Sequence, residues 1–281
     1  MKQNTQEWLE FRKTKIGASD APVILGMSPW KTPLQLWEEK LGIRPMQEIN
    51  EAMQRGHNLE PIAREAYINH TGNYCIPEVV THAEYDWMIA SLDGIAFDRS
   101  IIIEIKCPGK NDHHTASLGK VPEKYYAQLQ HQLAVIGLDR LHYFSFRSED
   151  DFYLIEIERD EKFINELISK EKDFWDKLQN FIEPDLNERD YIRKEDSVWE
   201  SLSSRWIKAS QELKRLEKEE KECREALLSS AEGKSCIGGG IRLTKSFRKG
   251  AVDYKKIPEL VGIDTDKYRK ASSEMWRISV E

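Results

Sequence analysis

The sequence predicts a mixed α/β fold of the α+β kind, in which a mixed β-sheet is flanked by helices. Two observations predict it. Strand-like apolar runs cluster between residues 74 and 106, and helical patterns precede and follow this cluster. Two more strand patterns and an amphipathic helix come next, before the chain becomes polar near residue 184. With 281 residues, the chain is long enough for one large core and an extension.

Helical segments are expected ahead of the strands. A short one starts at Glu7–Phe11 and ends near Gly17. Another begins at Thr32, whose side chain can cap a helix that opens with proline, and it stops at Gly42. A further helix runs from Gly56 to Gly72, because apolar residues recur there at helical spacing and glycine ends the pattern.

The strand cluster and the segments after it are assigned from alternation, length and turn residues. In chain order they are strands at Trp87–Leu92, Ile95–Phe97 and Ile101–Lys106, a helix at Pro122–Gly137, strands at Leu141–Arg147 and Phe152–Glu158, and a helix at Glu161–Phe181.

The C-terminal part predicts a different organisation. A polar linker is expected first, and then a helix of about thirty residues with a heptad seam, followed by a basic β-like segment. The seam consists of Leu202, Trp206, Ala209, Leu213, Leu216, Cys223 and Leu227. From residue 234 onward, 11 Lys and Arg stand against 6 Asp and Glu. We therefore predict a core domain at 1–183, a linker and heptad helix at 184–233, and a small basic module at 234–281.

Charge and cysteine content exclude several classes of protein. The net charge is -7 and the pI is near 5.7, which argues against a uniformly basic surface for nucleic acid. No apolar run reaches the roughly 18 residues of a membrane span, and no export signal is expected. The four cysteines are far apart and form no C-x-x-C pair. The sequence therefore predicts no disulfide scaffold and no zinc or iron–sulfur site, and it favours a cytoplasmic location.

The most informative residues are two carboxylates and a lysine near the centre of the strand cluster. Glu104 and Lys106 share one face of an isoleucine-rich strand, where charges are costly unless they serve a purpose. Asp93 lies at the predicted hairpin end of the preceding strand and could converge on Glu104. Two carboxylates, completed by the main-chain carbonyl of Ile105, form an oxygen site of the kind that Mg²⁺ prefers. With Lys106 to orient or deprotonate water, or to stabilise charge on a phosphate, the pattern predicts phosphodiester hydrolysis.

The same residues also have a purely structural interpretation. Asp-Gly is a common hairpin turn, and Glu-x-Lys on an exposed strand face is often a solvated ion pair. His113 and His114 fall in a polar stretch and are expected to be solvated. The tryptophans could stack on nucleobases, but such residues are more often core or rim residues, and none is assigned to DNA. These tryptophans are Trp30, Trp37, Trp87 and Trp175.

The motifs resemble those of the PD-(D/E)xK nucleases, and their surroundings resemble the lambda exonuclease/YqaJ-type phage recombinase family. The motifs occur in the family's order between about residues 8 and 181. They are Trp8-x-x-x-Arg12 followed by Gly17-Ala18-Ser19, then Gly56-x-x-x-Glu60, Asp93 with Glu104-x-Lys106, Ala127-Gln128-x-Gln130, and the strand and helix around Ile155–Lys162. Leu92 stands where the superfamily name has proline, a minor departure because the carboxylate carries the chemistry.

The resemblance implies a PD-(D/E)xK restriction-endonuclease-like core and a role for each matched residue. Asp93 and Glu104 would be metal ligands and Lys106 the catalytic lysine. Glu60 would be an accessory acid near the metal, although it also fits an exposed glutamate in a first helical turn. Gln128 would help to hold the site, although it also fits an ordinary polar helix face.

Two further residues are implied to bind the phosphate at the 5′ end of the substrate strand. Arg12 offers a bidentate fork and Ser19 a hydroxyl near the start of a helix. The alternative for Arg12 is a surface salt bridge with Glu10 or Asp20.

The family resemblance implies a Mg²⁺-dependent 5′-to-3′ exodeoxyribonuclease that acts on double-stranded DNA ends, with Mn²⁺ as a substitute metal. It also implies a single-strand annealing protein as partner in phage-type recombination, and a ring-shaped homo-oligomer, a trimer. The protein would be encoded by a phage or prophage, act in the bacterial cytoplasm and have no membrane association. Alternatives are a RecB-like or structure-specific PD-(D/E)xK nuclease, or a non-catalytic DNA-end-binding recombination factor.

Overall fold

The computed structural model describes residues 5–45, 50–246 and 250. The chain divides into two compact units, with the boundary between Ile192 and Arg193. The finer division into 1–183, 184–233 and 234–281 stays a prediction. Most of the predicted basic module lies outside the described residues, including the basic residues beyond 250.

The first unit contains a mixed sheet and seven α-helices among its described residues. The helices are α1 (Gln6–Lys13), α2 (Ala21–Ile24), α3 (Pro33–Lys40), α4 (Glu51–Thr71), α5 (Lys110–Ser117), α6 (Glu123–Ile136) and α7 (Glu161–Gln179). The strands are β1 (Ile16–Gly17), β2 (Cys75–Thr81), β3 (Met88–Ala96), β4 (Ile102–Lys106), β5 (Arg140–Ser148) and β6 (Asp151–Glu158). The predicted fold class, a mixed sheet flanked by helices, is confirmed.

The helix ends follow the chemistry that the sequence predicts. Thr32 caps α3, and its side chain accepts a hydrogen bond from the N–H of Gln35 in a complete capping box. Gly72 and Gly137 end α4 and α6 in the left-handed conformation, with φ of 73° and 76°.

Strand β3 organises the sheet. Antiparallel β2 covers one edge of it, and the other edge carries parallel β1 near Met88 and antiparallel β4 near Gly94. Beyond β4 follow β5, which is parallel to β4, and β6, which is antiparallel to β5. In the described part of the sheet, residues 90–93 of β3 therefore have no strand beside them on the edge that β1 and β4 share.

Both faces of the sheet are buried. Helix α6 covers one face, where Leu129 and Leu133 join Ile102 in the main core. Helix α4 covers the other face, where Tyr67 packs with Ile103. The alternation predicted for β4 is therefore correct, and each of its faces packs against a helix.

The segment predicted as a linker begins with contacts to the first unit. A short 3₁₀ turn at Glu188–Asp190 lies next to the start of α3. The hydroxyl of Thr32 donates to Asp190 Oδ1 at 2.5 Å, and Arg189 donates to the main-chain carbonyl of Lys31 at 3.3 Å. These contacts attach residues 188–190 to the loop that precedes α3.

The second unit consists of one long helix and a small hairpin among its described residues. Helix α8 (Ser197–Ser230) contains the whole predicted heptad seam, of which Leu213 and Leu216 are exposed. Strands β7 (Cys236–Gly238) and β8 (Ile241–Leu243) form an antiparallel pair. No helix in the described part of the chain is long and apolar enough to span a bilayer.

Candidate active site

Strands β3 and β4 separate at Asp93. Their ladder pairs Ile95 with Ile102 and Gly94 with Ile103, and it ends there. The next N–H available on β4, that of Ile105, donates to the Asp93 side chain, with a distance of 2.8 Å to Oδ2. The carboxylate thus replaces a main-chain partner and opens a gap between the strands.

The Asp93-Gly94 pair is not the hairpin turn that the sequence predicts. Both residues lie inside β3, and the connection to β4 follows at residues 97–101. A Cβ at position 94 would lie 2.6 Å from Cγ2 of Ile103 and 2.7 Å from Sγ of Cys75. Glycine is therefore required by close packing between three strands, a reason that local turn statistics do not contain.

Glu104 is held by three donors. Only 2% of it is exposed, so the solvated-pair interpretation does not apply. Lys106 Nζ and Gln128 Nε2 both donate to Oε1, at 2.5 and 2.6 Å. Gln132 Nε2 donates to Oε2 at 2.5 Å. Gln128 and Gln132 lie one turn apart on α6, where residues four apart share a face.

Gln132 was missed by the sequence analysis, although its spacing from Gln128 was a usable signal. Its side chain is completely buried, and Oε1 has no hydrogen-bond partner. Gln130, which belongs to the matched motif, contacts other elements. It donates to the carbonyl of Glu158 at 2.9 Å and accepts from the N–H of Asp160 at 2.9 Å. Gln130 therefore joins α6 to the β6–α7 connection.

Glu60 comes near the site through Arg64. The two residues form an ion pair one turn apart on α4. Arg64 Nε also donates to the main-chain carbonyl of Asp93, at 2.6 Å. Burial raises the pKa of Asp93 well above its ordinary value, and the charges of Glu104 and Glu60 raise it further. Glu60 is thus close enough to Asp93 to act on it electrostatically.

The donor set fits a hard divalent cation. Asp93 and Glu104 converge, Glu60 adds negative charge, and the charge of Lys106 opposes that of Asp93. Although burial favours the neutral amine, the two carboxylates raise the pKa of Lys106, so it is cationic. The described residues contain no group of three or more His, Cys, Asp and Glu side chains placed to hold one ion. The candidate ligands are therefore two carboxylates and the Ile105 carbonyl, a set that Mg²⁺ completes with water.

Arg12 and Ser19 contact each other rather than the carboxylate group. Arg12 donates to the Ser19 hydroxyl and stacks over Trp8, with 5.2 Å from its guanidinium carbon to the ring centroid. It also lies 3.6 Å from Asp20 Oδ1, so the predicted alternative of a salt bridge with Asp20 is present as well. The indole N–H of Trp8 donates to Ser91 Oγ at 3.2 Å, two residues before Asp93 in β3.

His113 is not solvated, contrary to the sequence-based expectation. It lies on α5 and is buried. Its Nδ1 is 2.8 Å from Ser145 Oγ and its Nε2 is 2.8 Å from Asp151 Oδ1. These contacts connect α5 to β5 and β6. The expectation failed because strand neighbours more than thirty residues away supply the partners.

Comparisons with known proteins match part of the chain. Residues 7–139 match the sequence model of the YqaJ-like viral recombinase domain. The chain is 34% identical over 174 residues to the uncharacterized protein YqaJ of Bacillus subtilis (strain 168), covering 60% of this chain and 54% of that protein. It thus spans about half the length of this curated relative.

Solved structures of an alkaline exonuclease are similar to about two thirds of the chain. LHK-Exo from Laribacter hongkongensis is 33% identical with a TM-score of 0.56, over 63% of this chain and 94% of that chain. A structure of LHK-Exo in complex with dAMP is 31% identical, with the same TM-score of 0.56 and the same coverage.

The fold and these likenesses define a nuclease core of the PD-(D/E)xK type. The chain belongs to the YqaJ-like viral recombinase family, as the ordered motifs predict. A nuclease of recombination is the class that these likenesses support.

Proposed function

We propose that the protein is a Mg²⁺-dependent exodeoxyribonuclease that digests double-stranded DNA in the 5′-to-3′ direction. The observation that carries the proposal is the convergence of Asp93, Glu104 and Lys106 at the gap between β3 and β4. The structure of LHK-Exo, an alkaline exonuclease, was solved with dAMP, a deoxynucleoside monophosphate of the kind that digestion of DNA releases. This likeness supports DNA as the substrate.

The chain's own residues have distinct tasks in this proposal. Asp93, Glu104 and the Ile105 carbonyl would hold the cation, and Gln128 keeps the Glu104 carboxylate in one orientation. A cation held there would supply polarisation of the scissile phosphate and a lower pKa for an attacking water. Lys106, cationic between the two carboxylates, stabilises the negative charge that develops on the phosphate.

The direction of digestion is assigned to Arg12 and Ser19. An exonuclease that advances from a 5′ end must hold the terminal phosphate while the next phosphodiester meets the metal. The Arg12–Ser19 pair lies beside β1, on the same edge of β3 as the gap. Its guanidinium and hydroxyl suit a terminal phosphate, because an arginine fork binds phosphate oxygens in pairs.

The proposed biological setting is phage-type homologous recombination together with a single-strand annealing protein. Membership in the viral recombinase family supports this setting. We also propose a homo-oligomeric ring, a trimer, which would allow an acidic chain to enclose DNA and confine its basic contacts to a channel. A RecB-like or structure-specific nuclease remains the alternative enzyme, and a non-catalytic DNA-end-binding factor the alternative without chemistry.

The test uses duplex DNA labelled at the 5′ or the 3′ end of one strand, with Mg²⁺, Mn²⁺ or EDTA. We expect release of labelled mononucleotide at once from the 5′ label and late from the 3′ label, only with metal. Asp93→Ala and Glu104→Gln should abolish release and leave thermal unfolding in EDTA almost unchanged. Glu156→Gln, at an exposed ion pair of β6, is the matched control and should keep full activity.

The outcomes separate the alternatives. Cutting inside the duplex or at branched DNA would favour a structure-specific nuclease. End binding without release in any metal would favour the non-catalytic factor. Near wild-type release by Asp93→Ala would reject the site itself.

A further inference from the structure

Trp30 differs from the other tryptophans of the first unit. Trp37 and Trp87 are buried, and Trp175 stacks on Trp87 with 6.3 Å between ring centroids. Trp30 is 60% exposed. A single exposed aromatic residue needs no explanation by itself, so its surroundings decide whether it has a role.

The backbone that carries Trp30 is fixed on both sides. The Trp30 N–H donates to Oγ of buried Ser28 at 3.3 Å. Two residues later, Thr32 starts α3 with its capping box and also donates to Asp190. An exposed indole on a restrained loop is pre-organised for contact, because little conformational entropy is lost when it binds.

Trp30 belongs to a row of rings and ammonium groups that leads to the catalytic lysine. Its ring centroid is 6.4 Å from that of Tyr125. Lys124 Nζ lies 4.9 Å from the Trp30 centroid and 5.3 Å from the Tyr125 centroid. Lys106 Nζ lies 5.1 Å from the Tyr125 centroid. We call Trp30, Lys124 and Tyr125 the Trp30 platform.

We propose that the Trp30 platform stacks an unpaired base of the DNA strand whose phosphodiester reaches Lys106. Aromatic faces alternating with lysines are how proteins bind single strands without reading their sequence. At a rise of about 3.4 Å per nucleotide, the two steps from Lys106 to Trp30 span roughly two to four nucleotides. The proposal rests on the proposed function and adds to it a path for the substrate strand.

The buried position of Glu104 explains why the base is unpaired. With only 2% of Glu104 exposed, a phosphodiester must come close to the sheet at the end of the β3–β4 ladder to meet it. A single strand can approach a buried group closely, whereas a base-paired strand carries its complement with it. Trp30 then supplies a stacking surface in place of the neighbouring base pair that the separated base has lost.

The experiment measures binding in EDTA, where no cleavage occurs, to a duplex with a four-nucleotide unpaired 5′ end. Trp30→Ala should weaken binding by about five- to a hundred-fold, the range for loss of one stacked base. Trp30→Phe should restore much of the loss, since a smaller ring still stacks. Phe97→Ala is the control and should bind like the wild type. Phe97 is 89% exposed and lies at the β3–β4 turn, at the end of β4 away from Lys106.

A double-mutant cycle with the DNA identifies the contact. Each of the four unpaired nucleotides is replaced in turn by an abasic one. At one position the abasic substitution should weaken wild-type binding as much as Trp30→Ala does, and it should cost the Trp30→Ala variant almost nothing more. Additive losses at every position, or equal binding by wild type and Trp30→Ala, would overturn the proposal.

The two proposals fail separately. Wild-type protein that binds the overhang through Trp30 and never releases nucleotides in Mg²⁺ would reject the nuclease function and keep the platform. Normal digestion with no effect of Trp30→Ala on binding would reject the platform and keep the nuclease. The same comparison is made with an overhang in which all four nucleotides are abasic. If Trp30→Ala binds this DNA more weakly than the wild type does, stacking is also overturned, because the ring would then act on the backbone or on the fold.

Discussion

Replacement of Gln132 by methionine tests whether the orientation of Glu104 limits catalysis. The change keeps the side-chain length and removes the hydrogen bond from Nε2 to Glu104 Oε2. A hydrogen bond to a charged group contributes about 1.5–3 kcal/mol, so turnover or Mg²⁺ affinity should fall by about ten- to a hundred-fold. Lys106 and Gln128 still hold the other oxygen of Glu104, which keeps the loss within this range.

Folding stability should change far less than activity in this variant. The Oε1 atom of Gln132 is buried without a hydrogen-bond partner, so methionine also removes an unsatisfied acceptor. Relief of such an acceptor contributes about 1–3 kcal/mol, which offsets the lost hydrogen bond. We therefore expect the free energy of unfolding in EDTA to stay within about 1 kcal/mol of the wild-type value.

The assay compares kcat and the Mg²⁺ activation midpoint with urea unfolding. Gln130→Met is the matched control, because this residue lies on the same helix and its side chain contacts Glu158 and Asp160 instead of the site. It should lower stability and leave kcat per folded molecule unchanged. Wild-type kcat and Mg²⁺ activation in Gln132→Met would refute the reasoning, and a stability loss equal to that of the control would make Gln132 a structural residue.

Three further changes have outcomes that the structure specifies. Arg12→Ala should slow digestion of 5′-phosphorylated duplex by about ten- to a hundred-fold, since a charge-assisted contact to the phosphate is lost. The rate of digestion of 5′-hydroxyl duplex should change little. A chain truncated after Asp196 should keep metal-dependent hydrolysis and lose DNA affinity or partner binding, measured by titration at two salt concentrations. Although burial opposes ionisation, Lys40 and Arg12 lower the pKa of Asp20 from 3.8 to about 2. Asp20→Asn should therefore cost about 2 kcal/mol of unfolding free energy at pH 7, and this difference should shrink as the pH falls from about 4 to 2.

Each of these changes has its own contrary result. Equal slowing on both kinds of DNA end would assign Arg12 to the fold or to general DNA affinity. A truncated chain with full-length affinity and partner binding would remove any role for the second unit in those contacts. For Asp20, the lowered pKa means that its stabilisation is fully present above the unfolded pKa of 3.8 and is lost as the pH falls through the folded pKa of about 2. A pH-independent cost of Asp20→Asn would show that its ionisation does not matter.

The sequence was sufficient for most helices and strands of the first unit and for placing Glu104 and Lys106 together, but not for β1, α5 or Gln132. Alternation placed Glu104 and Lys106 on one face of β4, and capping residues such as Thr32 and Gly137 marked the helix ends. Local periodicity carries this information, because each strand or helix buries its own apolar face. Asp93 was expected near Glu104 on the basis of a hairpin turn at Asp93-Gly94, whereas the turn lies at residues 97–101 and Asp93 is inside β3.

Contacts between distant segments could not be predicted from the sequence. Gly94 is glycine because β2 and β4 approach it, and that approach depends on a register set by whole strands. The ring nitrogens of His113 contact Ser145 and Asp151, which lie on strands that follow it in the chain. Trp37 is buried in the main core and Trp30 is exposed, a difference that tertiary packing decides. These features arise from contacts between distant segments, which no local pattern specifies.

The gap at Asp93 also provides an internal reporter. Because the Ile105 N–H donates to a side chain, its protection from hydrogen exchange depends on the charge of Asp93 rather than on strand pairing. The N–H of Ile103, one pair further along the ladder, stays protected by the sheet itself. Exchange at Ile105 should therefore quicken when Asp93 is protonated or replaced by alanine, while exchange at Ile103 stays slow. One amide signal in the middle of the sheet would follow the ionisation of the site without any substrate present.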